Sequence, residues 1–305
     1  MRTSVWRALG LFGCAFLALA GPGAAQDLEP RAYSPSPVGV NFALIGFARS
    51  TGGVVTDPTL PISDVSAHIN GFIAGYGRTF GLLGRQALIT AAMPYAWGDV
   101  EGNVFEGERR RVTRSGLTDL RAKLSVNLYG NPALAPQEFA KQSRGVIVGA
   151  SFAIWAPTGQ YDQTKLINLG TNRWAFKPEV GVSFPVKKFD FDLYAGAVFF
   201  TENPNFFPGN VTRHQDPVET VQLHASYSFR QALWLAVDGT WYGGGASHVN
   251  DGPPTGRLSN TRVGATLSVP LGKRQSAKVS YSRGASVRAG SDFDIISAAW
   301  QILWF

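Results

Sequence analysis

Polar and apolar residues alternate along most of this chain. From Asp119 to Leu128, the odd positions are polar or charged and the even positions are apolar. Successive side chains of a β-strand point to opposite faces, so a period of two predicts a strand with one polar and one apolar face. Segments of this kind predict twelve strands, over residues 38–50, 64–80, 86–98, 116–129, 145–157, 172–185, 189–201, 217–229, 232–243, 259–270, 276–288 and 293–305.

The lengths of these strands and of their connections predict the fold class. Most of the strands have ten or more residues, where a soluble strand has about 5–6 and a strand that crosses a bilayer needs about 9–11. Long loops alternate with short turns along the chain. The connection over 130–144 is the exception, because it is long where the pattern predicts a short turn. The long loops are predicted at 51–63, 99–115, 158–171, 202–216, 244–258 and 289–292, and the short turns at 81–85, 186–188, 230–231 and 271–275. We therefore predict an all-β protein, a transmembrane antiparallel up-and-down β-barrel of about twelve strands whose termini share the periplasmic side.

A soluble periplasmic β-sandwich also alternates, and it is the competing fold. In lipid, every backbone polar group needs a partner, so a sheet must close into a barrel with its polar face toward the lumen. Aromatic residues near the strand ends favour the barrel, because they would form girdles at the two interfaces; in a soluble protein they would be core residues. They are Tyr95, Trp97, Trp155, Tyr161, Trp174, Trp241, Tyr242, Trp300 and Trp304.

The first residues have the pattern of an export signal. Arg2 and Arg7 precede or flank an apolar run of twelve residues from Leu9 to Ala20, and small residues follow up to Ala25. This predicts a signal peptide over 1–25 that is cleaved after Ala25, an N-terminal periplasmic segment over 26–37, and an outer-membrane barrel domain over 38–305. We expect no N-terminal plug and no energy-coupling domain. The aromatic end of the last strand, at Phe305, resembles a signal read by the outer-membrane assembly machinery.

Composition excludes several other classes of protein. One cysteine excludes a disulfide framework and a cysteine-based zinc cage. The net charge of +7 is spread along the chain, so no nucleic-acid partner is expected. The four histidines, of which His68 and His224 are expected in the lumen, lack the spacing of a helical metal site. We expect no cofactor, no metal and no catalytic residue, although a surface hydrolase is kept as an alternative.

Several motifs resemble one family. They are Ser115-Gly116-Leu117-Thr118-Asp119, the run from Asn127 to Leu134, the block from Pro157 to Pro178, Tyr242-Gly243-Gly244 and Ser282-Arg283-Gly284. Together they resemble the phenol-degradation meta-pathway family of outer-membrane transporters, with the block 157–178 as the most specific part. The resemblance implies a β-barrel and a transport role, and it supplies no established substrate or catalytic residue; the family's name suggests aromatic or hydrophobic cargo.

Charged residues on the predicted inner face are the candidates for a functional lumen. They are Arg78, Asp119, Arg121, Lys123, Arg173, Lys177, Glu179, Asp190, Asp192, Asp238, Arg262 and Lys278. Basic groups outnumber acidic ones, which favours a constriction that selects anions such as aromatic carboxylates. The same residues also fit a web of salt bridges that fills and braces the barrel.

A basic cluster in the second long loop suggests a further contact. Arg109, Arg110, Arg111 and Arg114 could hold lipopolysaccharide phosphates through paired hydrogen bonds, or could be a solvated basic loop. The sequence thus predicts a passive outer-membrane channel for small molecules, with aromatic or hydrophobic cargo. A structural or adhesive barrel with a closed, salt-bridged lumen is the alternative.

Overall fold

A computed structural model of the chain describes residues 28–55, 62–104 and 107–305. These ranges contain sixteen strands and one four-residue helix, α1 (Pro136–Phe139). The strands are β1 (Asn41–Val55), β2 (Ile62–Leu82), β3 (Arg85–Val104), β4 (Glu108–Leu117), β5 (Leu120–Tyr129), β6 (Ile147–Ala156), β7 (Ala175–Val186), β8 (Phe189–Phe200), β9 (Asn203–Phe206), β10 (Val211–Gln215), β11 (Val218–Arg230), β12 (Leu233–Gly244), β13 (Ser247–Val249), β14 (Leu258–Pro270), β15 (Gln275–Ser286) and β16 (Gly290–Trp304). The predicted signal peptide, residues 1–25, lies outside the described residues.

Thirteen of these strands form one closed antiparallel sheet. β1 pairs with β16 from Asn41↔Trp304 to Val55↔Gly290, which joins the first strand to the last. β4 and β5 together fill one position in the wall, because β3 pairs with β5 along its first half and with β4 along its second half. The barrel therefore has twelve wall positions, and the twelve predicted strands are confirmed with ends that differ by several residues.

The two rims of the barrel differ in their connections. At one end, which we call the turn rim, β2–β3, β7–β8, β11–β12 and β14–β15 are joined by two to four residues, while the β5–β6 connection is long and contains α1. At the other end, the loop rim, long connections join β6 to β7, β8 to β11 and β12 to β14. This asymmetry is typical of outer-membrane barrels, in which the short turns are periplasmic.

The predicted loop over 99–115 is wrong for most of its length. β3 runs on to Val104 and β4 begins at Glu108, so these residues form a paired hairpin that continues the wall past the loop rim. At 20 residues, β3 is about twice as long as a bilayer requires. Across the described residues, no helix has both the length and the apolar character needed to cross a membrane.

The outward face of the wall is apolar. Its exposed side chains include Phe72, Val180, Leu193, Leu223 and Val237. Six of the predicted girdle residues lie on this face, namely Tyr95, Trp97, Trp174, Trp241, Trp300 and Trp304. Trp155 and Tyr242 do not, because both are buried inside the barrel.

A small second sheet lies in the long connections of the loop rim. It contains β9, β10 and β13, with β10 between the other two. Arg213 of β10 faces Val249 of β13, and His214 faces His248. The sheet pairs strands of the 201–217 loop with a strand of the 245–257 loop, so two loops that are far apart in sequence form one layer.

Candidate functional site

A buried network of charges lies on one side of the lumen. Glu179 of β7 accepts a contact of 2.8 Å from the Lys177 ammonium and lies 3.9 Å from the ammonium of Lys123 in β5. Gln222 of β11 donates to the same carboxylate at 3.2 Å. Positions i and i+2 of a strand share a face, which is why the alternation of β5, β7 and β11 directs all these groups inward. Charges buried in this way must be paired and hydrogen-bonded.

The N-terminal segment, residues 28–40, completes this network from inside the barrel. Glu29 forms an ion pair of 2.5 Å with Lys123. Arg31 forms one of 2.7 Å with Asp190 and also donates to Ser226 and Ser228. The expected absence of an N-terminal plug is therefore contradicted: the described residues before β1 occupy the lumen, where their charges compensate those of the strands.

Aromatic and amide contacts fix the same segment to the wall. The Tyr33 hydroxyl donates to Ser151 at 3.2 Å, and its ring packs edge-on against Tyr194 with centroids 5.2 Å apart. A Cβ atom added at Gly149 or Gly181 would lie about 2 Å from the Tyr33 ring, so glycine at both positions leaves room for it. The Arg31 guanidinium lies 4.8 Å from the centre of the Trp234 ring.

The opposite side of the lumen is apolar. Leu44 and Ala48 of β1 pack inside the barrel with Ile73 of β2, Ala92 of β3 and Ala299 of β16. Here the inward face carries mostly small or aliphatic residues, and its polar residues, such as Ser50 and Ser297, are uncharged. The lumen is therefore divided lengthwise into a charged side, which the N-terminal segment covers, and an apolar side.

A cavity of about 510 Å³ lies at the loop rim, above both sides. Its walls are mostly apolar and include Val65, Leu169, Phe206, Leu258 and Phe293. β10 and β13 of the small sheet contribute Arg213, Gln215 and His248. A volume in this range, with an apolar lining and a few polar groups, is typical of a site for a small molecule.

Eleven of the twelve predicted lumen residues lie inside the barrel or at its loop rim. Lys123, Lys177, Glu179, Asp190 and Asp192 belong to the charged side described above. Asp119, Arg121, Arg173, Asp238, Arg262 and Lys278 are also wholly or largely buried. They serve different partners: Arg262, for example, donates to the backbone carbonyl of Phe293 at 2.7 Å.

Arg78 is the exception, and its predicted place in the lumen is wrong. The inward residues of β2 include Ile73 and Thr79, so the even-numbered Arg78 shares the outward face with Tyr76. Its strand neighbour Gly77 lies beneath the Phe42 ring, where no side chain fits. Glycine at the inward positions removes the polar signal on which the face assignment depends. Near the turn rim, a long arginine side chain can reach the interface.

His68 is also exposed, so its predicted place in the lumen is wrong as well.

The arginine cluster lies on the β3–β4 hairpin and is partly neutralised there. Arg109 pairs with Asp64 at 2.8 Å and with Glu101 at 3.2 Å, and Arg111 pairs with Asp99 at 2.8 Å. Arg110 pairs with Glu108 on the same hairpin. Arg114 differs from the others, because it lines the loop-rim cavity and donates to the carbonyl of Ile167.

Asp119 anchors the loop that carries the most specific family motif. It lies between β4 and β5, and its carboxylate accepts from the amides of Gly159 and Thr171 at 3.0 Å each and from the Thr171 hydroxyl at 2.6 Å. Further along this loop, Lys165 and Thr164 hold the pKa of the Asp162 carboxyl well below its usual range. The two motifs around 115–119 and 157–178 are thus one structure: the first holds the loop formed by the second.

The replacement Asp119→Ala is expected to loosen this loop without opening the barrel. Three hydrogen bonds to a buried carboxylate are lost, and bonds to charged groups contribute roughly 1.5–3 kcal/mol each. Amide hydrogen exchange at Gly159 and Thr171 should therefore rise at least tenfold, while exchange in β7 is unchanged. Asp251→Ala, at an exposed loop position, is the control; unchanged exchange at Gly159 would contradict the anchoring role.

His224 and Asp238 form a buried pair in the lumen. His224 Nδ1 lies 2.7 Å from Asp238 Oδ1, and both side chains are fully buried. Thr266 donates to the second oxygen of Asp238 at 3.0 Å. Among the described residues, His224 Nε2 has no hydrogen-bond partner, so the pair lacks the hydroxyl contact that activates a serine nucleophile.

Two aromatic side chains lie inside the barrel and not in the girdles predicted for them. Trp155 and Tyr242, predicted for the girdles, instead form an inner apolar cluster with Val198 and Val218. β6 is apolar on both faces, since Phe152 and Ile154 lie outward while Ala153 and Trp155 lie inward. In such a strand, alternation gives no sign of which face is the lumen.

Comparisons with known proteins agree with this architecture. The model of the family described as the MetA-pathway of phenol degradation matches residues 49–298. The chain belongs to this family. The resemblance found in the sequence motifs is thereby confirmed. None of the curated proteins compared with the chain is similar to it.

Solved structures with a fold similar to that of this phenol-degradation family member include an outer-membrane channel and two autotransporter domains. An outer-membrane channel from Pseudomonas putida F1 is 21% identical with a TM-score of 0.75, and the match covers 91% of this chain and 100% of that one. The transport unit of the autotransporter AIDA-I from Escherichia coli is 11% identical with a TM-score of 0.51, over 99% and 96% of the two chains. The β domain of the Bordetella autotransporter BrkA is 13% identical with a TM-score of 0.52, over 88% and 100%. At these identities, the similarity concerns the fold alone.

Proposed function

We propose that this protein is an outer-membrane channel through which small apolar molecules, including aromatic compounds, enter by passive diffusion. The observation that carries the proposal is the apolar cavity at the loop rim, which opens above the apolar side of the lumen. The family's name, which refers to phenol degradation, favours aromatic cargo. The similar fold of an outer-membrane channel from Pseudomonas putida F1 supports transport in general.

The route follows from the two-sided lumen. Ala67, Ala96 and Phe293 line the cavity, and the buried cluster of Leu44, Ile73 and Ala92 continues on the same wall. An apolar molecule that follows these residues avoids the charged side, where leaving hydrogen bonds unmade would be costly. The N-terminal segment lies inside the barrel against the charged side, so we infer that passage depends on how far this segment moves.

The placement in the cell belongs to the same proposal. Cleavage of a signal peptide after Ala25 would export the chain, and Phe305 would be read by the assembly machinery. The exposed arginines of the β3–β4 hairpin, Arg109, Arg110 and Arg111, would meet lipopolysaccharide phosphates beyond the loop rim. Each already has a carboxylate partner, so a phosphate would have to compete with Asp64, Glu101, Glu108 and Asp99.

A closed barrel with a structural role is the second candidate. The observation that favours it is the ion-pair network, in which Lys123 bridges Glu29 of the N-terminal segment and Glu179 of the wall. We do not propose a surface hydrolase, because His224, which is paired with a buried carboxylate, faces the lumen and not the lipid. Phospholipid turnover abolished by a single serine or histidine replacement would reverse that conclusion.

Removal of residues 28–37 is expected to increase single-channel conductance in planar bilayers severalfold. The segment occupies lumen space, and a wider aqueous path carries more current. Arg31→Ala deletes the ion pair with Asp190 and should give an intermediate increase in conductance or frequent transitions between conductance levels. This variant replaces the deletion in the test if the shortened chain does not fold. Arg230→Ala, at an exposed position near the turn rim, is the matched control.

Two outcomes of this experiment oppose the proposal in different ways. If the full chain and both variants give no discrete conductance steps, and vesicles that contain them take up no small molecules, then the closed structural barrel is correct. If conductance is present but equal in all variants, then the channel is open along a path that the N-terminal segment does not obstruct.

A further inference from the structure

The charge of the loop-rim cavity is one-sided. Among its described lining residues, none is acidic, while Arg114 and Arg213 are basic. Within the same described part of the chain, Arg114 makes no ion pair, and its hydrogen bonds go to the neutral carbonyls of Ile167 and Thr113. A cavity with apolar walls and net positive charge favours a ligand that has an apolar body and a negative group.

Arg213 is placed to hold such a group. It shares a face of β10 with Gln215, and both line the cavity. Its guanidinium lies 5.3 Å from the centre of the Phe206 ring and donates to the Ser247 hydroxyl at 3.4 Å. These contacts orient the guanidinium beside an aromatic surface, where the ring of a ligand can pack.

A second arginine lies directly behind this face. Arg173 is 5% exposed and donates to Gln215, which itself lines the cavity. Within the described residues, its Nη1 has no hydrogen-bond partner. Burial and the positive charge of Arg213 lower the pKa of Arg173 to about 9. Asp119, the nearby acid, uses its oxygens to hold the 157–174 loop. The guanidinium groups of Arg173 and Arg213 thus repel each other behind the cavity wall, where little water screens their charges.

We propose that the loop-rim cavity is a binding site for small aromatic carboxylates, with the carboxylate on Arg213 and the ring against the apolar wall near Phe206. This inference rests on the proposed channel function, and it adds that the cargo includes anionic aromatic molecules. A bound carboxylate relieves the repulsion between the two guanidinium groups and accepts charge-assisted hydrogen bonds, which are roughly twice as strong as neutral ones. Arg173 acts through Gln215 as a positioning residue.

The test compares benzoate with benzamide, which has the same shape and no charge. Binding to the purified full-length barrel in detergent is measured by calorimetry, and entry into vesicles is measured separately for both compounds. Benzoate should bind at least about tenfold more tightly than benzamide, which corresponds to about 1.4 kcal/mol. Arg213→Gln keeps a hydrogen-bond donor near Ser247 and should abolish the preference. Arg110→Gln, a matched change at an exposed site, should leave it intact.

The outcomes separate this inference from the channel proposal. Equal affinity for the two compounds in the unaltered protein, or a preference that survives Arg213→Gln, overturns the carboxylate site and leaves the channel proposal standing. Failure of both compounds to enter vesicles overturns the channel proposal, whatever the binding result. Arg213→Lys gives a further check on the geometry: it keeps the charge but loses the paired donors, so it should retain only part of the preference.

Discussion

Replacing Glu179 with leucine is expected to destabilise the folded barrel by about 3–5 kcal/mol. The Glu179 side chain is 2% exposed and is the ion-pair partner of Lys177, which is 8% exposed. Removing one member of a buried ion pair leaves the other charge without compensation, and that loss is typically of this size. Lys123 would keep Glu29, so the greater part of the effect falls on Lys177. Urea unfolding in lipid vesicles, followed by the gel mobility of folded and unfolded forms, measures it.

The conservative variant Glu179→Gln separates charge from packing. Glutamine retains the size of glutamate and can still accept from Gln222 and Tyr33, so a loss similar to that of leucine would assign the effect to charge. The double variant Glu179→Leu with Lys177→Met should recover much of the stability, because no unpaired charge remains. If Glu179→Leu is as stable as the unaltered chain, the lumen at this depth is well solvated and the network does not brace the wall.

Replacing Leu223 with arginine is expected to cost about 2–4 kcal/mol in a bilayer. Leu223 lies near the middle of β11, is 60% exposed and points away from the lumen. Its partners in the register, Leu193 of β8 and Gly239 of β12, lie on the same outward face. A guanidinium at that depth loses its hydration and finds no partner in lipid. Folding equilibria in phosphatidylcholine vesicles give the free energy directly.

Leu271→Arg is the depth control for this prediction. Leu271 is 58% exposed, which is close to the 60% of Leu223, but it lies in the turn between β14 and β15. Close to the interface the same substitution should cost only about 0–1 kcal/mol. Equal losses at both positions would contradict the assignment of the outward face of β11 to lipid, and with it the treatment of the barrel as a membrane protein.

The sequence predicted the wall of the barrel more completely than its contents. In β5, β7, β11 and β14, charged or hydroxyl residues alternate with aliphatic ones, and the structure confirms the inward and outward faces. In β1, β2 and β6 the inward positions are held by residues such as Leu44, Gly77 and Trp155. Both faces of these strands are then apolar or small, so periodicity cannot distinguish lumen from lipid. Arg78 of β2 and Trp155 of β6 were misplaced for this reason, whereas Tyr242 shares the inward face of β12 with the polar residues Asp238 and Thr240.

The candidate site depended still more on contacts between distant residues. Alternation placed Lys123, Glu179 and Asp190 on inner faces, but nothing in their strands reveals that Glu29 and Arg31 are their partners. The loop-rim cavity combines parts of β1–β4 and β16 with several connections that are far apart in sequence. Arg173 and Arg213, which are 40 positions apart, become neighbours because Arg173, just before β7, donates to Gln215 of β10. Such proximity carries no local sequence signal.

The sequence alone determined that this chain forms a closed wall of twelve antiparallel strands, because a period of two with long strands and unequal rims leaves few other ways to satisfy the backbone in lipid. The tertiary structure alone decided what occupies the interior. Whether a lumen is open depends on where a short segment such as residues 28–40 lies, and that is set by ion pairs and ring contacts formed across the barrel. These contacts exist only after the wall has closed, so the strand pattern could not predict them.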